Sequence, residues 1–254
     1  MKFRFYTKIL NLTVTGYCHL NMYALISSLS DNRFQTGMSK DYSGVKFTDE
    51  RSIKFPGNDN KESSRKVNLR WADTPGLADA RRSEKAAATI TNCIRNSKGE
   101  GRAIKPVFVV TLHGMGRIIA DDLISIDKVM TSIKIDGFSL DNHYTVLVNQ
   151  IPNKLFERGS DFELKTETKN KLMALFNKGV TYKTDKFIFI RRLSYLEDED
   201  NAILERELSQ PLLFKLLLQS PCIKMTEVQQ IDELKTDDFE KLKYELNKKL
   251  YGVS

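Results

Sequence analysis

The residues with the clearest chemical potential are Asp73-Thr74-Pro75-Gly76-Leu77, which follow an alternating, strand-like run over residues 67–72. A strand that ends in Asp-x-x-Gly is typical of proteins that offer a carboxylate to Mg²⁺ and a backbone N–H to a terminal phosphate. The same residue types also form an ordinary turn at the end of a strand. The pattern makes Asp73 a candidate metal ligand and Gly76 a candidate phosphate-binding residue.

A second segment, Gly16-Tyr17-Cys18-His19-Leu20-Asn21-Met22-Tyr23, stands between a predicted strand and a predicted helix. A phosphate-binding loop in this position needs glycines, a lysine that reaches the β- and γ-phosphates, and a Ser or Thr hydroxyl for Mg²⁺. Here Gly16 keeps the first glycine, but Asn21 stands at the second glycine, Met22 at the lysine and Tyr23 at the hydroxyl. The context of a phosphate loop is therefore retained, whereas its charge and its metal ligand are lost.

Strands and helices alternate along the predicted chain, which favours an α/β fold with a mainly parallel sheet flanked by helices. Apolar runs and alternation predict strands over residues 9–15, 45–55, 67–72, 107–112, 144–149 and 186–190. Helical spacing predicts helices over residues 22–29, 83–95, 121–133, 162–176, 201–218 and 239–250. We expect two units, residues 1–222 and a C-terminal helical extension over residues 223–254.

The C-terminal helix has two interpretations, a helix packed on the main domain or a helix that binds a partner or a second copy. Its apolar residues recur at helical spacing among many lysines and glutamates, and Thr236 or Asp237 is expected to cap its start.

Bulk composition narrows the class of protein. The net charge is +7, but acids and bases alternate in stretches such as residues 163–171, which indicates a solvated surface and argues against a nucleic-acid groove. Three distant cysteines without metal-ligand spacing favour a reducing compartment. No apolar run is long enough to cross a bilayer. We expect a cytoplasmic location, with peripheral contact to a membrane left open.

Four stretches together resemble AIG-type GTPases, the immunity-associated family of the septin-like group. They are Ala24-Leu25-Ile26-Ser27-Ser28-Leu29 with Asn32-Arg33-Phe34, Asp73-Thr74-Pro75-Gly76-Leu77-Ala78-Asp79, Leu112-His113-Gly114-Met115-Gly116-Arg117 running into Asp121-Asp122-Leu123, and Val146-Leu147-Val148-Asn149-Gln150. In the family these positions hold the helix after the phosphate loop, the second phosphate motif, a characteristic box and the start of the base-reading motif. The order and spacing of the stretches make the resemblance more specific than any one of them.

The resemblance implies a Ras-like P-loop GTPase fold that binds GTP or GDP with Mg²⁺ and often forms homo- or hetero-dimers through its nucleotide face. Asp73 would then bind Mg²⁺ through water, and the Gly76 N–H would contact the γ-phosphate. Ser39 or Ser43 would replace the switch-loop threonine.

Other family positions depart from the pattern. Leu77 stands where Ras-like enzymes place a water-positioning glutamine, so hydrolysis should be slow. Asn149 and Gln150 fit the base motif, but Pro152 stands at its aspartate. Arg191 and Arg192 either border the base or lie on the surface. Arg117 either acts across a dimer or is a surface residue.

Two functions follow as alternatives. In the first, the chain is a guanine-nucleotide-binding-fold protein with impaired or absent hydrolysis that acts through protein contacts. In the second, it binds GTP and hydrolyses it slowly in a dimer-dependent way. Neither makes it an efficient GTPase, and a nucleic-acid binder ranks last.

Overall fold

The structure is a computed structural model of the 254-residue chain. It describes residues 8–14, 46–47, 51–54, 66–74, 83–101, 103–113, 116–160, 163–192, 211–212, 215–216, 218–219, 222–232 and 235–252. For the strands before residue 83 it describes the backbone and the pairing between strands.

The main sheet is mixed and mostly parallel. Its strands are β1 (Lys8–Val14), β2 (Lys46–Phe47), β3 (Arg51–Lys54), β4 (Lys66–Thr74), β5 (Val107–His113), β6 (Arg117–Ile118), β8 (Thr145–Ile151) and β9 (Phe187–Arg191). The order across the sheet is β2-β4-β1-β5-β8-β9. β2 and β3 pair antiparallel with β4 at one edge, and β6 pairs antiparallel with β5. A separate two-stranded sheet joins β7 (Ile133–Lys134) to β10 (Glu227–Val228).

The central strands form because their residues are apolar on both faces. Val107, Phe108, Val109 and Val110 of β5 are all buried, as in a parallel sheet covered on both sides. Along β5, β8 and β9 every second apolar residue enters one large core, including Phe108, Val146 and Phe187. This alternation fixes the register, since a slip of one residue would exchange the two faces.

Four helices have described bounds, α1 (Ser83–Gly99), α2 (Ala120–Ser132), α3 (Thr166–Gly179) and α4 (Thr236–Tyr251), and residues 211–212, 215–216 and 218–219 are helical too. α1, α2 and α3 pack their apolar faces into the same core. Two edge-to-face aromatic pairs lie in that core, Phe108 with Tyr144 at 5.5 Å and Phe176 with Phe187 at 5.2 Å between ring centroids. None of the described helices combines the length and the apolar composition needed to cross a membrane.

A segment over residues 222–231, here called the edge segment, crosses the amino edge of the main sheet. Ile223 and Ile104 exchange two backbone hydrogen bonds of 2.7 and 2.9 Å just before β5. Further along, β10 pairs with β7, and the Ile231 N–H donates to Thr91 Oγ1 of α1 at 3.1 Å. Its apolar residues Ile223, Met225, Val228 and Ile231 belong to the main core.

α4 then packs on α2 and α3. Phe239 and Leu250 are buried, and Leu246 packs beside them. Lys243 Nζ lies 3.1 and 3.2 Å from the two carboxylate oxygens of Asp121 on α2. Leu242 and Tyr244 remain exposed. These contacts describe a helix with one face on the domain, while the domain boundary at residue 222 stays a prediction.

Most predicted elements in the described ranges are confirmed to within a few residues, including the strands at residues 107–112, 144–149 and 186–190. Two local predictions are wrong. α3 begins at Thr166 and not at residue 162, since Leu164 first forms a bridge with Phe156. The N-cap of α4 is Lys235, whose side chain makes no cap hydrogen bond, so neither Thr236 nor Asp237 is the cap. The helix predicted over residues 22–29 lies outside the described residues.

Candidate functional site

The carboxyl ends of the parallel strands β1, β4, β5, β8 and β9 meet at one edge of the sheet. β1 lies between β4 and β5, so the chain leaves β1 for a strand on one side and later returns to a strand on the other side. In open α/β sheets, ligands bind outside the carboxyl ends of the strands at such a switch point. β1 ends at Val14, at this point of the fold, and Gly16 comes two residues later in the sequence.

Asp73 is the penultimate residue of β4. It stands opposite Leu12 of β1 in the parallel register and opposite Lys46 of the antiparallel β2. The sequence-based interpretation of Asp73 as a residue at a strand end is therefore confirmed, since β4 ends at Thr74. Its role as a metal ligand stays a prediction.

Asn149 lies three strands away from Asp73, on β8. It stands opposite Thr111 of β5 and is only 6% exposed. The pairing of β8 with β9 shifts between Val148 and Ile151, as in a β-bulge. Val148 and Ile151 both enter the main core, although a regular alternation would send them to opposite faces. Bulges of this kind are common beside binding sites because they redirect side chains.

The register gives the spacing of the two residues. Asp73 is level with Leu12, Val107 and Thr145, so Asn149 lies four residues further along the strands and three strands across. These steps correspond to about 13 Å along the strands and about 14 Å across them, or about 19 Å in all. Two polar groups at this separation suit an elongated ligand whose ends are bound by different loops.

The stretch that begins at Leu112 contains the end of β5 and the whole of β6, which pair as a hairpin. Leu112 pairs with Ile118, and His113 pairs with Arg117. Gly116 has φ +86°, a backbone conformation that a glycine adopts without steric cost. The hairpin turns the chain back from the carboxyl edge into α2.

α4 holds this hairpin in position. The Tyr251 hydroxyl donates a hydrogen bond of 2.9 Å to the Ile118 carbonyl, and the Arg117 guanidinium carbon lies 5.3 Å from the Tyr251 ring centroid. Burial raises the pKa of Tyr251, with the Arg117 charge acting in the opposite direction, so the phenol remains a donor at neutral pH. Arg117 thus contacts an aromatic ring of its own chain. Sequence reasoning missed Tyr251, because a tyrosine near the end of a helix gives no signal of a distant carbonyl partner.

The end of β9 borders the same region as Asn149. Arg191 stands opposite Ile151 and is half-buried, whereas Arg192 is exposed and its N–H donates to the Ile151 carbonyl at 2.9 Å. Pro152 follows β8 with φ −55° and ψ 133° and precedes a short 3₁₀ turn, Asn153–Leu155. Pro152 supplies no carboxylate at the position where a base-reading aspartate was expected.

Several predicted site residues lie outside the described residues. They are Gly16, Asn21, Met22, Tyr23, Ser39, Ser43, Gly76 and Leu77. Gln150 lies on β8, but its side chain is not among those described. Within the described part, no group of three or more His, Cys, Asp or Glu side chains could hold a metal ion.

Comparisons with known proteins show no family. No family model matches the chain. No curated protein matches it either. A solved structure of Methanosarcina barkeri Roco2 RocCORdC bound to GDP has 13% sequence identity and a TM-score of 0.35, and the match covers 94% of this chain. The cytosolic domain of the T. maritima FeoB iron transporter, in GDP form II, has 10% identity and a TM-score of 0.33, over 85% of this chain and 67% of that chain.

The chain spans 61% of the length of the Roco2 structure. TM-scores below 0.5 do not establish a shared fold. The fold of this chain therefore rests on its own strand order and register: a mixed α/β domain with a mainly parallel sheet between helices.

Proposed function

We propose that this chain is an AIG-type protein with a Ras-like P-loop GTPase fold, that its guanine-nucleotide chemistry is impaired or lost, and that it acts through protein contacts. Its nucleotide site would be the carboxyl edge of the sheet, formed by Gly16, Asn21, Met22 and Tyr23 after β1, Asp73 at the end of β4 with Gly76 after it, and Asn149 and Gln150 on β8.

The observation that carries the proposal is the placement of Asp73 next to the end of β4 and of Asn149 near the end of β8, on either side of β1, the strand that precedes Gly16 in the sequence. A nucleotide is an elongated ligand with phosphates at one end and a base at the other. The predicted phosphate residues follow β1 and β4, and the predicted base residues lie on β8, as such a ligand requires.

Impairment is inferred from which contacts are missing. Met22 brings no charge to the β- and γ-phosphates, Tyr23 brings a bulky ring in place of a small hydroxyl, and Pro152 brings no carboxylate to the base. Losing one charge-assisted contact costs about 1.5–3 kcal/mol, which is about tenfold or more in affinity. Three such losses weaken phosphate, metal and base binding together.

Titration calorimetry of nucleotide-stripped protein with GTP, GDP and ATP in Mg²⁺ tests the proposal. We expect no measurable heat and no thermal shift at concentrations up to about the millimolar range, where binding is worth about 4 kcal/mol. Binding of GTP or GDP at micromolar or lower concentration would contradict loss of binding. ATP controls for nonspecific phosphate binding.

The alternative is a functional GTP-binding protein with slow, dimer-dependent hydrolysis. It is favoured by the retention of Asp73 at a strand end and of a buried Asn149 on β8. Tight binding of GTP, turnover that rises with protein concentration and a nucleotide-dependent dimer would support it. A cytoplasmic location, a dimer through the nucleotide face and Mg²⁺ bound at Asp73 belong to these proposals.

A further inference from the structure

Lys105 and Cys222 face each other at the amino edge of the main sheet, on the side opposite to the candidate nucleotide site. Ile104 and Ile223 exchange both of their backbone hydrogen bonds in an antiparallel bridge. In that register the next pair of residues is Lys105 and Cys222. Such neighbours project from the same face of the pair, with Cβ atoms about 4.5–5.5 Å apart.

The surroundings of the two groups are unusual for an amine and a thiol. Lys105 is only 6% exposed, although lysines are almost never fully buried in proteins. Cys222 is half-buried and is not in a disulfide. Burial lowers the pKa of Lys105 and raises the pKa of Cys222, and each group partly offsets the shift of the other. Compared with exposed groups, the Lys105 amine is therefore more often uncharged, which makes it a better nucleophile, and the Cys222 thiol is less often a thiolate, which slows its oxidation by peroxide.

We propose that Lys105 and Cys222 form a modification site at which peroxide oxidation joins the two side chains through a sulfur–nitrogen bond. Hydrogen peroxide first converts the thiol to a sulfenic acid and releases one water. The lone pair of the Lys105 amine then attacks sulfur, a sulfur–nitrogen bond forms, and the hydroxyl leaves as a second water with a proton from the nitrogen. The sulfur is oxidised by two electrons, and one peroxide is reduced to two waters.

The cross-link would tie the edge segment to the start of β5. Ile104 and Ile223 already pair there, so the backbone already holds the two segments side by side. Because the two residues are far apart in sequence, a covalent link between them restricts the unfolded chain much more than the folded chain. Oxidised protein should therefore unfold at a higher temperature than reduced protein.

The test is mass spectrometry of the full chain after treatment with hydrogen peroxide, removal of the oxidant and alkylation of free thiols. Before alkylation we expect a species about 2 Da lighter than the reduced protein, and after it a peptide pair that joins Lys105 to Cys222 and that a thiol reductant separates. Thermal unfolding of this species should shift upward by several degrees.

Three variants make the result specific. Cys222→Ser and Lys105→Met should both abolish the linked peptides and the thermal shift. Lys105→Arg keeps the charge but supplies a poorly nucleophilic guanidinium. It should also abolish the linked peptides, and it replaces Lys105→Met in the test if that variant fails to fold. Cys93→Ser is the matched control, because Cys93 is a buried thiol on α1 and its loss should leave the link intact.

Other outcomes overturn the proposal. They are a disulfide between Cys222 and another cysteine, sulfinic acid at Cys222 without linked peptides, or an unmodified Cys222 under peroxide that oxidises the remaining thiols.

Discussion

The amino edge of the main sheet is held by a dense set of side-chain hydrogen bonds, whereas the carboxyl edge carries the residues predicted to bind a ligand. At the amino edge Tyr144 Oη donates to the Tyr182 carbonyl at 2.6 Å, and Asp127 and Asp141 accept from the backbone N–H groups of Thr181 and Lys183 at 2.7 and 2.6 Å. These contacts fix the loop between α3 and β9 without any group aimed at a ligand.

At the carboxyl edge, Asp73 and Asn149 lie within two residues of the ends of β4 and β8, and Tyr251 supports the hairpin between β5 and β6. We therefore expect the stability of the fold and the binding of a ligand to depend on different edges of this sheet. Substitutions at the amino edge should change the free energy of unfolding, and substitutions at the carboxyl edge should mainly change nucleotide affinity. The four predictions below test this separation.

The largest effect is expected at the phosphate segment after β1. Restoring the missing groups with Met22→Lys and Tyr23→Ser together should raise GTP affinity by about tenfold or more, since each charge-assisted contact is worth about 1.5–3 kcal/mol. Calorimetry in Mg²⁺ measures this gain. Met22→Gln is the control, because it is polar and of similar length but uncharged. An unchanged affinity in the double variant would contradict the assignment of residues 16–23.

Two tyrosine–carbonyl hydrogen bonds, one at each edge, give a matched pair. Tyr144 is fully buried, so Tyr144→Phe leaves the Tyr182 carbonyl without its donor. The substitution should lower the free energy of unfolding by about 1–2 kcal/mol. Tyr251 is only half-buried, so in Tyr251→Phe a water molecule can take the place of the hydroxyl at the Ile118 carbonyl. This substitution should lower the free energy of unfolding by about 0.5 kcal/mol. Denaturant unfolding measures both. Equal losses of unfolding free energy in the two variants would show that the two hydrogen bonds stabilise the fold equally.

Alkaline pH should remove part of the stability that Tyr144 contributes to the folded protein. Burial, followed by the nearby Asp127 and Asp141, raises the pKa of Tyr144 far above its ordinary value of about 10. Above about pH 10 the unfolded tyrosine loses its proton while the folded one keeps it, so the free energy of unfolding falls as pH rises.

The measurement is the difference in unfolding free energy between wild type and Tyr144→Phe, which lacks this proton. The wild-type advantage should shrink by up to about 1.4 kcal/mol for each pH unit above 10. A difference that stays constant to about pH 11 would contradict the expected shift.

A modest effect is expected where α3 meets α2 and α4. A Cβ at Gly179, the last residue of α3, would lie 2.6 Å from Leu123 Cδ1 and 3.5 Å from side-chain atoms of Leu246 and Leu250. Gly179→Ala should therefore destabilise the protein by about 1 kcal/mol. Gly99→Ala is the matched control, because Gly99 also ends a helix but a Cβ there meets nothing within 4 Å. Equal stabilities of the two variants would show that Leu123 and the two leucines of α4 move aside without an energetic cost.

Sequence patterns predicted the main elements because these have strong periodicity. The apolar run at residues 107–112 became β5, and the helical spacing at residues 239–250 became part of α4. Helix starts were predicted less well. The Thr236 and Asp237 side chains are good caps in isolation, but the chain enters α4 through Lys235. Packing of α4 against the domain, and not the local cap, decides where the helix begins.

The sequence by itself determined which residues are available for chemistry. It put Asp73 before Gly76, put Met22 in place of a lysine, and made the strands apolar enough to be buried in one sheet. The tertiary structure alone decided which distant residues meet. The pairing of Ile104 with Ile223 and the hydrogen bond of Tyr251 to Ile118 each involve a single residue on either side. Contacts so short leave no periodic signal in a sequence, because their partners come together only when the whole sheet and its helices have packed.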